Sequence, residues 1–386
     1  MLTKNIKIRN FSIKISSIKK KQFFKLLNNL IRNNNQIFFS MGRGYKDKYT
    51  KKLISRLKKI KEINLIGIGG SILGAKAIYN FLRPISKKFN FIDNFSKYSF
   101  KKGNKINLII SKSGNTLETI ANSNIYLNKS CKNIFITENK KSYLMDLANK
   151  LKAEIIYHNN YIGGRYSVLS EVGMLPAQLM GFKPEKFRRY NDLIKNKKFL
   201  NNLVENVLKI LILRKKNKTN SIVLNYDENS HELFLWYQQL VAESLGKKSK
   251  GILPMISEMP RDNHSLMQYY LDGTQNHFFT LFFAKEKNSK KIINNSILKT
   301  HNYLKYKNLN DILYSQFCAT QKVFLKKKIP FRSLIISKKN EETLGELFTF
   351  FILETILLGK AMNLNPFDQP AVELIKRDTV KFLKNI

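Results

Sequence analysis

Short apolar runs that alternate with longer amphipathic stretches constrain the fold of this chain more than any other feature of its sequence. Five such runs fall within residues 64–158, and three more fall within residues 221–337. Runs of this length, separated by stretches long enough for helices, are typical of parallel strands that helices cover on both faces. We therefore predict an α/β protein with two doubly wound domains. The predicted strands are 64–68, 89–93, 106–110, 133–137, 154–158, 221–227, 277–284 and 331–337.

Changes in composition along the 386 residues suggest where the domains begin and end. The first 46 residues contain no Asp or Glu, a property that transit peptides share. They contain few arginines and no small-residue cleavage signal, so we interpret them as a basic segment of the mature protein. The two domains join in the charged stretch 183–198, and a helix over 341–360 closes the second one. The predicted parts are a basic N-terminal segment 1–45, a first domain 46–185, a second domain 186–362 and a C-terminal helix 363–386.

The formal net charge of +42 raises the question of a polyanionic partner. Such an excess attracts nucleic acids and anionic membrane surfaces at low salt. The lysines, however, are scattered through every segment and form no stripe interleaved with stacking aromatic residues. We attribute the charge to a general bias in composition and expect no specific nucleic-acid partner.

Cysteine content and hydropathy indicate the compartment. The two cysteines, Cys131 and Cys318, lie far apart, so neither a disulfide framework nor a cysteine metal site is expected. No uncharged apolar run approaches the roughly 20 residues that a membrane span needs. We therefore expect a cytoplasmic protein without a membrane anchor.

Polar residues follow the first and third predicted strands. In LIGIGGSILG (65–74), glycines including Gly70 stand before Ser71, where they would let backbone N–H groups approach a ligand closely. Tight strand-to-helix packing explains the same turn equally well. The spacing is not GxGxxG, so a dinucleotide site is disfavoured.

The stretch SKSGNTLET (111–119) is more informative because it groups hydroxyls before a helix. Ser111, Ser113 and Thr116 supply three hydroxyls, and the following helix supplies free N–H groups and a positive dipole end. We predict a phosphate cradle that needs no metal and lacks the GK[ST] ending of a nucleotide P-loop. The alternative is a capping box formed by Asn115 and Glu118, which would only begin the helix.

Two further stretches carry charged residues at defined positions. GGRYSVLS (163–170) places Arg165 after two glycines, where it either pairs with an anion or lies on the surface. In the helix predicted at 232–248, Glu243 lies seven residues after Trp236 and therefore on the same apolar face. Gly246 is the expected end of this helix. Burial and the helix dipole would make this carboxylate a better base, whereas pairing with Lys247 would make it an ordinary surface residue.

The last two stretches hold a histidine and a lysine. His264 begins an apolar and aromatic helical stretch, where a structural hydrogen bond is the usual role of a single histidine. In FDQPAVELIKRDTVKFL (367–383), Asp368 is the expected N-cap. Gln369 and Lys376 would then share a face beside a buried apolar stripe of the helix. An ion pair with Glu373 is the alternative role for Lys376.

The order of these stretches resembles the phosphoglucose isomerase family, whose members contain two sugar-isomerase (SIS) domains. The motifs GIGGSILG, SKSGNTLET, GGRYSVLS, ESLGK, DNHSLMQ and QPAVELIK run in that order from residue 67 to residue 376, about four fifths of the chain. The resemblance implies the aldose–ketose isomerisation of glucose 6-phosphate and fructose 6-phosphate without a metal or cofactor.

The resemblance also implies a role for each matching residue. Glu243 would be the base, Arg165 would stabilise the cis-enediolate, and His264 with Lys376 would open the sugar ring. A homodimer is implied, with the histidine reaching the neighbouring subunit's site. The implied binding residues are Gly70, Ser71, Ser111, Lys112, Ser113, Thr116 and Gln369.

The chain departs from the family pattern at three positions. Ile72 stands where an acid is common after GGS, and Ala371 and Ile375 replace common glycines. These changes affect the expected packing around Ser71 and Lys376 more than the expected chemistry. The alternative among enzymes is a phosphosugar isomerase of different specificity, including one that also accepts mannose 6-phosphate. A non-catalytic phosphosugar-binding protein is another, but it would not need Glu243, His264 and Lys376 together.

Overall fold

A computed structural model describes residues 1–33, 36–95, 105–127, 131–293 and 297–385. Within these residues, ten strands form two sheets of five strands each. All eight predicted strands are confirmed, with bounds within two residues of those predicted. The strands are β1 (Ile6–Arg9), β2 (Glu62–Ile66), β3 (Lys88–Ile92), β4 (Lys105–Ile110), β5 (Lys132–Glu138), β6 (Glu154–His158), β7 (Asn220–Asn225), β8 (Leu253–Glu258), β9 (His277–Ala284) and β10 (Phe331–Ile336).

The first sheet is entirely parallel, in the order β3-β2-β4-β5-β6. Its central strand β4 is buried along its whole length, which explains why the sequence there is a continuous apolar run rather than an alternating one. A ladder of asparagine amides crosses the sheet, with Asn90 donating to Asn64, Asn64 to Asn107 and Asn107 to Asn133 at 2.8–2.9 Å. Because neighbouring amides face each other only in this pairing, the ladder helps to fix the register of four strands.

The second sheet has the order β1-β10-β9-β7-β8 and is parallel except for β1. Sequence patterns missed two of its strands, both at edges. β1 belongs to the basic N-terminal segment and pairs antiparallel with β10. In β8, exposed Leu253 and Met255 alternate with more buried residues, so it shows no continuous apolar run.

Helices cover both sheets. Asparagine or serine side chains begin several of them; Asn340, for example, accepts the N–H of Thr343 at the start of the longest helix. The helices are α1 (Ser17–Arg32), α2 (Gln36–Ser40), α3 (Lys51–Leu57), α4 (Leu73–Leu82), α5 (Leu117–Tyr126), α6 (Tyr143–Lys150), α7 (Glu171–Leu179), α8 (Pro184–Phe187), α9 (Tyr190–Leu193), α10 (Lys197–Lys215), α11 (His231–Leu245), α12 (Met267–Asp272), α13 (Leu309–Lys326), α14 (Glu341–Ala361) and α15 (Val372–Leu383).

Helix α11 connects the two halves of the molecule. It packs against α4, which follows the first strand of the first sheet, and against β8 and α14 of the second half. Its apolar stripe, including Leu233, Trp236 and Leu240, is fully buried, as the sequence predicted. The last turn of α11 therefore lies where both halves meet. Among the described residues, no helix is long and apolar enough to cross a bilayer.

Candidate active site

The crevice of the first sheet lies between the carboxyl ends of β2 and β4. The chain leaves β2 toward β3 on one side and returns to β4 on the other, so these neighbouring strands form the switch point of a doubly wound sheet. Ligands of such sheets bind at this point. The GGS turn follows β2, and Ser111 follows β4, so both polar stretches predicted from the sequence lie at the same crevice.

The GGS turn has glycines because the backbone of another loop approaches it. Gly69 has a φ of +55°, which favours glycine. A Cβ on Gly70 would lie 2.2 Å from the carbonyl carbon of Gly164 and 2.6 Å from the nitrogen of Arg165. The close contact places the loop that carries Arg165 directly against the crevice. Gly70 is buried and Ser71 is half-buried.

The three hydroxyls of SKSGNTLET converge. The Ser111 and Thr116 oxygens are 2.9 Å apart, and those of Ser113 and Thr116 are 3.4 Å apart. Gly114 between them has a φ of +66°, and a Cβ there would clash with the Ser142 hydroxyl at 2.1 Å. Helix α5 begins directly after Thr116, so its free N–H groups lie next to the cluster. We call Ser111, Ser113 and Thr116 the hydroxyl cluster.

The capping-box interpretation of this stretch is wrong. Thr116 is the N-cap of α5, and no side chain caps the helix. The Asn115 carbonyl oxygen instead accepts the N–H of Tyr143 at 2.9 Å. The ammonium of Lys112 is held by the Asn160 carbonyl at 2.6 Å and lies 3.4 Å from Glu138, so this side chain already has partners outside the hydroxyl cluster.

Arg165 is buried, with 3% of its side chain exposed, and it joins three parts of the chain. Its Nε donates to the Ser244 hydroxyl at 2.9 Å. Nη1 donates to Glu243 at 3.1 Å and to Gln369 at 2.9 Å. Nη2 donates to the carbonyls of Pro366 and Asp368 at 2.7 and 2.9 Å. The surface interpretation of Arg165 is therefore wrong, and the guanidinium holds a carboxylate and an amide side by side.

Glu243 lies in the last turn of α11 and is partly open, with 28% of its side chain exposed. Its second oxygen accepts a hydrogen bond of 2.8 Å from Gln239 Nε2, one helical turn earlier. The alternative pairing with Lys247 does not occur, because that ammonium contacts Asp368 and the Asn365 carbonyl. Glu243 is thus a half-buried carboxylate with an arginine on one oxygen and an amide on the other.

Gln239 is a site residue that the sequence analysis missed. A Cβ on Gly69 would lie 2.7 Å from its Nε2, so this amide also touches the GGS turn. Its Oε1 is buried without a partner among the described residues. The i, i+4 spacing from Glu243 was the available signal, since it places both side chains on one helical face.

Gln369 and Glu243 also line a cavity of about 510 Å³ between α11 and the segment before α15. That segment is held by Arg165 and by Lys247. Asp368 was the expected N-cap of the last helix, but its side chain pairs with Lys247, and α15 begins only at Val372. A carboxylate and an amide therefore line the cavity, and the buried guanidinium of Arg165 binds both of them. This set can move a proton and stabilise an oxyanion without a cofactor.

A family model described as phosphoglucose isomerase matches residues 53–257, just over half of the chain. The chain belongs to the phosphoglucose isomerase family. It is 32% identical to the glucose-6-phosphate isomerase of Methanocaldococcus jannaschii, over 85% of this chain and 87% of that protein. It is 33% identical to the glucose-6-phosphate isomerase of Mycoplasmopsis pulmonis, over 84% of this chain and 83% of that protein.

Two solved structures share the fold. A hypothetical protein from Thermus thermophilus superposes with a TM-score of 0.85 at 23% identity, over 95% of this chain and 96% of that one. A glucose-6-phosphate isomerase from Chlamydia trachomatis superposes with a TM-score of 0.69 at 18% identity, over 97% of this chain and 76% of that one. The overall arrangement of two sheets therefore recurs outside this sequence.

The two residues to which the sequence resemblance gives a role in ring opening make no hydrogen bond to Arg165 among the described residues. The side chain of Lys376 is 61% exposed, and its ammonium pairs with Glu373 at 2.6 Å, the alternative that i, i+3 spacing allows. The sequence predicted a buried apolar stripe on α15. This prediction is wrong, since none of the residues of α15 is buried. Val372 and Ile375, for example, are 39% and 72% exposed.

Two histidines of the second half, His264 and His277, differ sharply. His264 is exposed, and its ring makes no hydrogen bond with the described residues. His277 is buried at the start of β9, where its Nε2 lies 3.3 Å from the Tyr270 carbonyl and burial lowers its pKa. His277 therefore has a structural role at the start of this strand.

A buried network beneath the Arg165 loop was missed from the sequence. Glu171, at the first position of α7, contacts His158 Nδ1 and the Tyr45 hydroxyl, both at 2.6 Å. Burial alone would raise the pKa of Glu171, but the hydrogen bonds and charge of these partners outweigh burial and hold it below its usual range. The network joins the end of β6 to α7 and so supports both ends of the loop that presents Arg165.

The described residues contain no group of three or more His, Cys, Asp or Glu side chains arranged to hold a metal ion.

Proposed function

We propose that this protein is a glucose-6-phosphate isomerase that interconverts glucose 6-phosphate and fructose 6-phosphate. Family membership supports the reaction class. The observation that carries the proposal is the hydrogen bonding of Arg165 to both Glu243 and Gln369. The Arg165 loop touches the GGS turn, whose strand β2 pairs with β4, the strand that leads into the hydroxyl cluster.

The phosphate of the substrate would bind at the hydroxyl cluster. Three hydroxyls, the N–H groups at the start of α5 and the backbone around Lys112 offer donors to its oxygens. Gly70 and Ser71 would line the same pocket. The positive end of the α5 dipole adds a favourable field for a doubly charged anion.

Proton transfer would belong to Glu243. In its ionised form the carboxylate removes the C2 proton of the open-chain aldose, and the electrons of that C–H bond form the C1–C2 double bond of a cis-enediolate. The hydroxyl proton on O2 then moves to O1, and the same carboxyl returns its proton to C1 as the C2 carbonyl of the ketose forms. No redox cofactor is consumed. Arg165 would stabilise the negative oxygen of the intermediate, and Gln369 would lie beside the sugar.

Ring opening would use the exposed imidazole of His264 as the general acid and base. In the proposed homodimer, His264 would reach the active site of the neighbouring subunit. This arrangement would explain why His264 does not contact Glu243 of its own subunit. Lys376 would assist once its ammonium leaves Glu373. The free state of Cys131 and Cys318 fits a cytoplasmic location.

The proposal is tested by adding fructose 6-phosphate to purified protein and coupling glucose 6-phosphate formation to a dehydrogenase that oxidises it. We expect turnover without added metal, and unchanged turnover after chelation. Absence of turnover in a folded protein, or turnover of mannose 6-phosphate alone, would contradict it.

A further inference from the structure

The segment between β8 and α12 carries His264, and hydrogen bonds to one buried carboxylate fix the conformation of this segment. Asp262 lies two residues before the histidine and is only 6% exposed. Its Oδ2 accepts the backbone N–H of Glu258 at 2.8 Å, and its Oδ1 accepts the Ser265 hydroxyl at 3.2 Å. One side chain therefore ties the end of β8 to the residue after the histidine.

The rest of the turn depends on the same carboxylate. Arg261 Nε donates to Asp262 Oδ1 at 3.1 Å, while the backbone carbonyls of Arg261 and Asp262 accept the N–H groups of His264 and Leu266. Burial alone would raise the pKa of Asp262, but its hydrogen bonds and the Arg261 charge outweigh burial and hold that pKa below the usual range. The group is thus an ionised acceptor at neutral pH.

The turn is anchored at the edge of the second sheet, where β8 pairs with β7. Glu258 accepts hydrogen bonds of 3.0 and 3.3 Å from the Asn225 amide of β7, and its Oε1 lies 2.6 Å from His231 Nδ1. The His264 ring itself has no hydrogen-bond partner among the described residues. Its position is therefore set by the backbone of this turn, and that backbone is set by Asp262.

We propose that Asp262 is a positioning residue for ring opening, which fixes the turn that carries His264 without touching the substrate. This inference rests on the proposed function. A displacement of about 1 Å in an acid and base group can cost up to about 10²-fold in rate. Loss of Asp262 should therefore impair the step that needs His264 and spare the step that needs Glu243.

The test compares two substrates in the full-length protein. Fructose 6-phosphate requires ring opening, whereas 5-deoxyfructose 6-phosphate lacks the hydroxyl that closes the furanose ring. We expect Asp262→Ala to lower kcat on the first by about tenfold or more and to leave C1 proton exchange on the second within about twofold. Asp262→Asn retains an acceptor oxygen for the Glu258 N–H, and its amide NH2 can donate to the Ser265 hydroxyl, so it should restore part of the lost turnover.

A double-mutant cycle separates positioning from general destabilisation. If Asp262 acts through His264, then Asp262→Ala should cause no further loss of ring opening in a His264→Ala background. Asp311→Ala is the matched control, because Asp311 also accepts a backbone N–H in the second half, at the start of α13, but holds no turn with a histidine. It should lower stability without changing the ratio of the two substrates' rates.

Two results would overturn the inference. Equal losses on both substrates, or additive losses in the double variant, would show that Asp262 is merely structural while leaving the proposed function intact. Unchanged ring opening in His264→Ala would remove the role of His264 and the inference with it. Should Asp262→Ala not fold, Ser265→Ala takes its place in the same cycle, with a smaller expected loss, and additivity again overturns the inference.

Discussion

The two sheets contain equivalent crevices that are filled differently. In the first, the switch point between β2 and β4 is lined by glycines and by the hydroxyl cluster. In the second, the switch point lies between β7 and β9, and Asp227 follows β7. Lys339 lies 2.6 Å from that carboxylate, and Ser230 donates to its other oxygen. One crevice thus offers free donors, whereas the other has its charges already paired.

The difference follows from how the halves pack. The ring of Phe81, in α4 of the first half, faces the Lys339 ammonium, and 5.8 Å separates the ring centroid from the Lys339 Nζ atom. Arg83, after the same helix, contacts Asn229 and Glu286 beside the second switch point. A doubly wound topology therefore makes a binding crevice available, and the residues at the strand ends decide whether it serves a ligand or the contact between halves.

The largest expected effect belongs to Glu243. Glu243→Gln keeps the side-chain volume and removes the base, so we expect turnover to fall by about 10²-fold or more with little change in substrate affinity. Glu228→Gln, near the second switch point, is the control and should remain active. Near-normal turnover of Glu243→Gln in the coupled assay would mean that another group moves the proton.

Breaking the ion pair in the second crevice should cost stability rather than activity. Lys339→Met leaves Asp227 buried without its cation, and we expect the free energy of unfolding to fall by about 2–3 kcal/mol. Urea unfolding followed by the fluorescence of Trp236, the single tryptophan, measures the change. If Lys339→Met kept its urea unfolding midpoint but lost activity, the second crevice rather than the first would be the functional one.

A smaller effect is expected at the contact between the two loops of the first crevice. Gly70→Ala would push Gly164 away and displace Arg165, with a loss of about 1–3 kcal/mol in stability and a drop in turnover. Gly163→Ala is the matched control, since its Cβ would meet Tyr166 only at 3.6 Å. Equal behaviour of the two variants, measured by thermal unfolding and by the coupled assay, would argue against the close approach.

The sequence predicted the features that depend on local pattern. Continuous apolar runs marked the buried parallel strands. The resemblance to the phosphoglucose isomerase family, rather than the local pattern, implied that Arg165 and Glu243 share a site. Lys376 could not be assigned in the same way, because i, i+3 spacing from Glu373 allows both an ion pair and a functional role. The structure shows the ion pair, so the catalytic role stays a prediction.

Features set by distant parts of the chain were not predictable. β1 has only four residues, and its place beside β10 depends on a partner more than 300 residues away. Asn115 and Glu118 had the spacing of a capping box, but the N–H of Tyr143 competes for the Asn115 oxygen. Tertiary contacts overrode local signals at these positions.

The most direct measurement concerns the hydroxyl cluster. We propose to measure the inhibition constant of 6-phosphogluconate for Ser113→Ala, Thr116→Ala and, as the control from the second crevice, Ser230→Ala. Each lost hydrogen bond to a charged phosphate should raise the constant by about tenfold in the first two variants, whereas Ser230→Ala should leave it unchanged. Unchanged constants for Ser113→Ala and Thr116→Ala, or a rise only for Ser230→Ala, would contradict a phosphate site at the first crevice.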